Sequence, residues 1–190
     1  MKVLAFNSSP RRGGNTEQLI RMVFKPIEAA GIETELINIG GRPLQGCTAC
    51  MGCKTNLDGR CVIDDDELNT WIEKMRLADA IILGSPTYVA DVTSEMKALM
   101  DRSVYVLRAN GNLLNRKVGA AVSAVRRAGS IHALDTMNHF FQVMGMVTPG
   151  SSYWNLGIGR EPGEVEDDAE GKKCMADLGE NIAWLLGKLQ

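Results

Sequence analysis

Short apolar runs alternate with segments of helical spacing along most of the chain, and this alternation limits the folds open to it. The runs are KVLAFN (2–7), TELINI (34–39), ADAIILG (78–84), KVGAAVSA (117–124) and a shorter one within MVTPGSSYW (146–154). Each is brief and apolar and ends in polar or Gly residues, which reads as a buried strand. Between the first two, apolar residues recur at 19, 20, 23, 24, 27 and 30, a helical period. Pro26 predicts a kink or early stop in that helix, and Gly31 a C-terminal stop. The acidic run DDDE (64–67) suits the first turn of a helix reaching about Leu77, where negative charge meets the positive dipole end. Further helices are expected at 93–108, 130–144 and about 168–188. Such alternation implies right-handed crossovers and a parallel sheet with helices on both faces.

Five strands match the flavodoxin-like α/β arrangement with strand order 2-1-3-4-5. At 190 residues a single domain (1–190) is expected, with a cysteine-rich loop inserted at 40–63. The net charge of −2 provides no field that would favour nucleic acid or an anionic membrane. No apolar run approaches the roughly 20 residues of a membrane span. The opening MKVLAFNSSP is too short an apolar stretch for a signal peptide. These readings predict a cytoplasmic protein with no nucleic-acid or membrane partner. In that compartment thiols stay reduced, so the five cysteines are not expected to form disulfides.

Two connections carry chemistry. SSPRRGGNT (8–16) leaves the first strand and enters the first helix, at the carboxyl end of a parallel strand, where α/β sheets bind ligands. It combines the hydroxyls of Ser8, Ser9 and Thr16, the amide of Asn15, the guanidinium groups of Arg11 and Arg12, and two glycines. Backbone N–H groups at a helix N-terminus complete a set suited to a phosphate. Neither a G-x4-G-K-S/T nor a G-x-G-x-x-G pattern is present, which argues against a P-loop or a dinucleotide Rossmann site. GSPTYVADVT (84–93) leaves the third strand; Pro86 stiffens it, and Thr87 and Tyr88 offer a hydroxyl and an aromatic face to a flat ring. The plain alternatives are a helix-capping turn and a strand-to-helix turn with an incidental tyrosine.

Four cysteines, Cys47, Cys50, Cys53 and Cys61, are spaced C-x2-C-x2-C-x7-C. The spacing matches what a 4Fe-4S cluster takes from one loop. Zinc also accepts four thiolates, although its ribbons pair two separated C-x2-C knuckles. A thioredoxin-type couple would open a helix after a strand, a context this loop lacks. Cysteines without a metal remain the further alternative. Cys174 on the last helix reads as a small buried residue. His132 and His139 stand seven apart, too far for an i,i+4 metal pair, and Trp71 and Trp184 fall at apolar helical positions.

Together, SSPRRGGNT and GSPTYVADVTSEMKALMDR resemble the NADPH-dependent FMN reductase group of flavodoxin-like proteins. With the four cysteines added, the chain resembles the iron–sulfur flavoproteins over most of 1–145. The resemblance implies an FMN whose phosphate is held by Ser9, Arg11, Asn15 and Thr16, together with Ser8 and Arg12. It implies a flavin ring lying on Pro86, Thr87, Tyr88 and Val89. The loop SAVRRAG (123–129), starting at Ser123, would close the other side; where relatives often carry a Gly pair, this chain has Arg126-Arg127-Ala128-Gly129. Also implied are a 4Fe-4S cluster on Cys47, Cys50, Cys53 and Cys61, a homodimer or dimer of dimers, and a ferredoxin-type or NAD(P)H electron donor. The implied activity passes electrons between cluster and FMN. The alternatives are an NAD(P)H-dependent FMN or quinone reductase without a cluster, and a non-catalytic flavin- or zinc-binding module.

Overall fold

The computed structural model describes residues 1–189; Gln190, the end of the expected 1–190 span, lies outside them. In chain order the elements are β1 (Lys2–Asn7), α1 (Asn15–Ala29), β2 (Glu33–Asn38), α2 (Gly52–Asn56), α3 (Leu68–Leu77) and β3 (Ala80–Pro86). There follow α4 (Ser94–Ala109), β4 (Val118–Val125), α5 (Ser130–Val143), β5 (Leu156–Ile158), a 3-10 turn (Glu164–Glu166) and α6 (Ala169–Lys188). The strands form one sheet in the order β2-β1-β3-β4-β5, with every pairing parallel. This is the flavodoxin-like arrangement expected from the alternation.

Side chains of a strand point alternately to its two faces. Leu4 and Phe6 of β1, with Ile81 and Leu83 of β3, pack with Trp71 of α3, Leu99 of α4 and Phe141 of α5. Val3 and Ala5, with Ala80 and Ile82, pack with Ile20 and Val23 of α1 and Leu178 and Ile182 of α6. Both faces are covered, which is why β1, β3 and β4 are nearly unbroken apolar runs. Among the described residues no helix is long and apolar enough to cross a membrane.

Several boundaries differ from expectation, each for a local reason. The run 146–154 contributes only one bridge, Val147 to Val118, and β5 forms later, at Leu156–Ile158. Pro149 has no N–H to offer a ladder, so pairing breaks off there. α1 neither stops at Pro26 nor ends short of Ala29. The proline sits in the last turn, where the missing N–H removes one bond and little helix follows. The acidic run 64–67 precedes α3 instead of forming its first turn, because Asp66 pairs with Arg102. The stretch 40–63, expected to be all loop, contains the short α2. Trp184 is 63% exposed, off the apolar face of α6, whereas Trp71 and Cys174 are buried as expected. α4 starts where expected: the Thr93 hydroxyl accepts from the Met96 N–H at 3.3 Å, a side-chain N-cap.

α1 and α6 approach closely at Gly179. A Cβ there would lie 2.2 Å from the Val23 carbonyl oxygen and 2.5 Å from the Pro26 ring, so only glycine allows this contact. Gly187 of the same helix meets nothing. In urea unfolding, Gly179→Ala is expected to cost about 1–3 kcal/mol by overpacking. Gly187→Ala should instead stabilise by about 0.5–1 kcal/mol. Equal effects at the two positions would show that the close approach is not what Gly179 provides.

Candidate functional site

The carboxyl ends of β1, β3, β4 and β5 lie at one end of the sheet, and a crevice of about 260 Å³ opens there. It is lined by Ser9, Arg11, Asn15, Thr16, Pro86, Thr87 and Tyr88, with Ala124, Arg126, Gly159, Arg160 and Pro162. Ser9, Arg11, Asn15 and Thr16 of the expected phosphate residues and Pro86, Thr87 and Tyr88 of the expected ring-bearing residues thus face one space.

The first loop is fixed from below. Asn7, at the end of β1, donates to the Asn38 side chain at 2.8 Å and accepts from the Ser9 N–H at 3.0 Å. Ser8 is turned inward, its N–H and hydroxyl both donating to the Gly84 carbonyl, at 2.9 and 3.2 Å. Ser8 therefore ties β1 to β3 and does not line the crevice, and neither does exposed Arg12. α1 begins at the N-cap Gly14 with no side-chain cap, a helix end suited to an anion. Gly40, just after β2, approaches the same loop; a Cβ there would lie 2.3 Å from the Ser9 backbone.

The far wall, 159–163, was not singled out from sequence as a site. Arg11 donates to the Arg160 carbonyl at 3.1 Å. The Asn15 amide donates to the Glu161 carbonyl at 3.0 Å and accepts from the Gly163 N–H at 2.8 Å. Asn15 is thus a brace between the first loop and this wall. The signal was the Gly/Pro-rich turn that follows β5, GREPG (159–163).

On the opposite side, the Thr87 N–H donates to the Ala124 carbonyl at 2.8 Å, and the Thr87 and Ser123 hydroxyls are 3.1 Å apart. Ser123 is fully buried behind Thr87 and does not itself line the crevice. Tyr88 and Asp91 exchange backbone bonds across a two-residue turn in which Val89 (φ 50°) and Ala90 (φ 60°) are both left-handed. That conformation is strained for a β-branched residue. It leaves Val89 fully exposed at the tip, outside the crevice lining.

The four expected cysteines line a second, smaller pocket with Thr48, Ala49, Met51, Val62, Ile63, Arg102, Tyr105 and Val106. No carboxylate or imidazole lines it, and four thiols do, a soft set suited to iron–sulfur groups or zinc. Ala49 (φ 54°) and Met51 (φ 61°) take left-handed conformations that wind the backbone around the cysteines. The Ala49 N–H donates to the Cys47 sulfur at 3.4 Å. The Gly52 N–H pulls the Cys50 thiol below its ordinary value, and burial pushes the Cys53 thiol up. An N–H aimed at sulfur, a fully buried guanidinium beside Cys61 and four cysteines in one lining fit a thiolate-held cluster. Among the described residues no three His, Cys, Asp or Glu side chains converge as a ready-made metal site, so the sulfurs share a pocket without pre-forming one.

Arg102 and Asn69 escaped sequence reasoning. Asn69 of α3 accepts from the Cys61 N–H at 2.8 Å and donates to its carbonyl at 3.0 Å. A polar residue on the otherwise apolar face of each helix was the available signal. His132 and His139 lie on α5 and line neither pocket.

A sheet of this order with a crevice at its switch point is the ligand-binding arrangement of the flavodoxin-like fold. A family model described as NADPH-dependent FMN reductase matches residues 1–161. An iron-sulfur flavoprotein of Methanocaldococcus jannaschii is 38% identical over 189 residues, covering 96% of each chain. One from Methanosarcina thermophila is 33% identical over 192 residues, covering 100% of this chain and 97% of that one. Among solved structures, RosB with a bound 8-demethyl-8-formylriboflavin-5'-phosphate intermediate superposes with a TM-score of 0.75 at 23% identity, over 100% of this chain and 80% of that one. The chain belongs to the NADPH-dependent FMN reductase family, among its iron–sulfur flavoproteins.

Beneath the first loop, Glu17 accepts from the Gly13 N–H at 3.0 Å and from Arg21 at 2.7 Å. Burial pushes its carboxyl up, but Arg21 and the Gly13 N–H outweigh burial and hold it below the ordinary value. A lowered folded-state pKa stabilises the fold above the ordinary carboxyl range, and that stabilisation is lost as pH falls through the folded value. Glu17→Gln is therefore expected to melt below the parent at neutral pH, with the gap closing below about pH 4. Thermal melts from neutral to acid pH check this; a gap that does not depend on pH would remove the ionic role.

Proposed function

We propose that this chain binds FMN in the crevice, carries a 4Fe-4S cluster on Cys47, Cys50, Cys53 and Cys61, and passes electrons between them. The observation that carries the reading is that one helix connects the surroundings of the two sites: the α4 cap bonds to the residue before crevice-lining Pro86, and α4 itself lines the cysteine pocket. α4 is capped by Thr93, whose N–H donates to the Ser85 hydroxyl at 3.1 Å beside the crevice. Further along, Arg102, Tyr105 and Val106 line the cysteine pocket.

In this reading Ser9, Arg11, Thr16 and the start of α1 hold the phosphate, while Asn15 braces the crevice wall against 159–163. Pro86, Thr87 and Tyr88 support the ring, Ser123 fixes Thr87 from behind, and Val89 stands at the exposed rim. When bound, FMN supplies one- and two-electron chemistry and the cluster one-electron chemistry. The crevice gathers Arg11, Arg126 and Arg160, which suits an anionic electron donor, either a ferredoxin-type carrier or NAD(P)H. The reading includes a homodimer or dimer of dimers, which sedimentation tests; a monomer would remove that part. The second reading is an NADPH-dependent FMN reductase with no cluster, favoured by the family description itself.

Iron, zinc, acid-labile sulfide and flavin per chain, measured on anaerobically purified protein, separate the two. About four iron and four sulfide with one FMN are expected. One FMN with neither iron nor sulfide after reconstitution would favour the second reading. Arg11→Ala and Thr16→Ala should each weaken FMN binding by about 1.5–3 kcal/mol, as loss of a bond to a charged group does. An unchanged Kd would overturn the phosphate assignment. Cys50→Ala should abolish bound iron and leave FMN in place.

A further inference from the structure

Arg102 lies on the buried face of α4 with its side chain fully enclosed. Its guanidinium has five N–H groups, and each has an acceptor. Nη1 donates to the Gln45 carbonyl at 3.1 Å and to the Asp66 carboxylate. Nη2 donates to the Ile63 carbonyl at 2.8 Å and to Asp66 Oδ1 at 3.3 Å. Nε donates to Cys61 Sγ at 3.4 Å. Every acceptor lies in one stretch of chain: Gln45 comes just before Cys47, and Ile63 and Asp66 come just after Cys61. One side chain therefore joins the entry and the exit of the cysteine loop and also touches one of its sulfurs.

The charge arrangement is as specific as the bonding. Asp66, with a side chain only 5% exposed, balances the guanidinium through its two Nη groups. Nε is the donor left for sulfur. A lysine could not replace this, because three donors on one nitrogen cannot reach both ends of the loop and Cys61 together.

We propose that Arg102 is the positioning residue of the cysteine site. It closes the loop so that the four sulfurs share one pocket, and it holds a fixed N–H and a positive charge against Cys61. This rests on the cluster reading above. A buried cation beside a thiolate-held cluster favours the state with one more electron, so it raises the reduction potential of that group.

Two experiments on the full chain test the proposal, using Arg102→Gln, Arg102→Lys and Asp66→Asn. The first needs no metal. Lys54 and Arg60 are exposed within the loop, and tryptic cleavage there follows how often the loop opens. With FMN still bound, metal-free Arg102→Gln is expected to be cut at those sites about tenfold faster than the parent. An unchanged rate overturns loop closure. The second reconstitutes iron and sulfide anaerobically and titrates with dithionite. Arg102→Gln should lower the midpoint potential by about tenfold in the one-electron equilibrium, about 59 mV. Asp66→Asn should raise it, and Arg102→Lys should stay near the parent value while losing iron faster. Shifts of the same sign in Arg102→Gln and Asp66→Asn, or no shift, overturn the electrostatic role. A parent chain that takes up no iron or sulfide refutes the cluster reading and with it the electrostatic role, and the cleavage rates still decide loop closure.

Discussion

Parallel pairing forces each connection to run from the carboxyl end of one strand back to the amino end of the next. The loops leaving β1, β3, β4 and β5 therefore collect at one end of the sheet, and the helices are left to cover the faces. The crevice follows directly from this constraint. Ser9, Thr87, Ala124 and Gly159 are far apart in sequence, yet they face one space because each lies at or just past the carboxyl end of a strand. The loops are then locked to one another. Ser8 bonds to Gly84, Thr87 to Ala124, and Asn15 to the turn after β5.

The cysteine loop is built on a different principle. Most of its residues between Gln45 and Arg60 are exposed. Polar clamps fix it to the core: Arg102 reaches up from α4, and Asn69 grips the backbone of Cys61 from α3. Burying a guanidinium is costly unless every donor is met and its charge is paired. Here both conditions hold, which ties the position of the loop to that of a helix in the core.

The parts that depend on local pattern could be read from the residues alone. Apolar runs such as VLAF in β1 and AIIL in β3 identify buried strands, and their alternation with helices leads to a parallel sheet; the order of its strands is not in that pattern and came from the match of five strands to the flavodoxin-like arrangement. The two loops and the cysteine spacing stood out because unusual residue types cluster there. What escaped was whatever depends on distant partners. Arg102 looks like one more charged residue of a helix until Asp66, Gln45 and Ile63 are folded around it. The wall at 159–163 reads as a Gly/Pro-rich connection and gains its role only by bonding to Arg11 and Asn15. β5 was misplaced because MVTPGSSYW carries more apolar bulk than LGI, whereas the ladder is decided by free N–H groups.

α4 lines the cysteine pocket, and its cap bonds to Ser85, next to crevice-lining Pro86, which gives the helix a metric role. Its cap at Thr93 adjoins the crevice, and Arg102 lies nine residues further on, about 13 Å at the rise of an α-helix. The interval between the two sites is therefore counted in helix residues, not in loop lengths. A helix lengthens only by whole residues, and each one turns everything beyond it by about 100°. Distance and bearing along this rod cannot drift separately. Side chains on its outer face can vary freely, but the gauge itself permits only discrete settings.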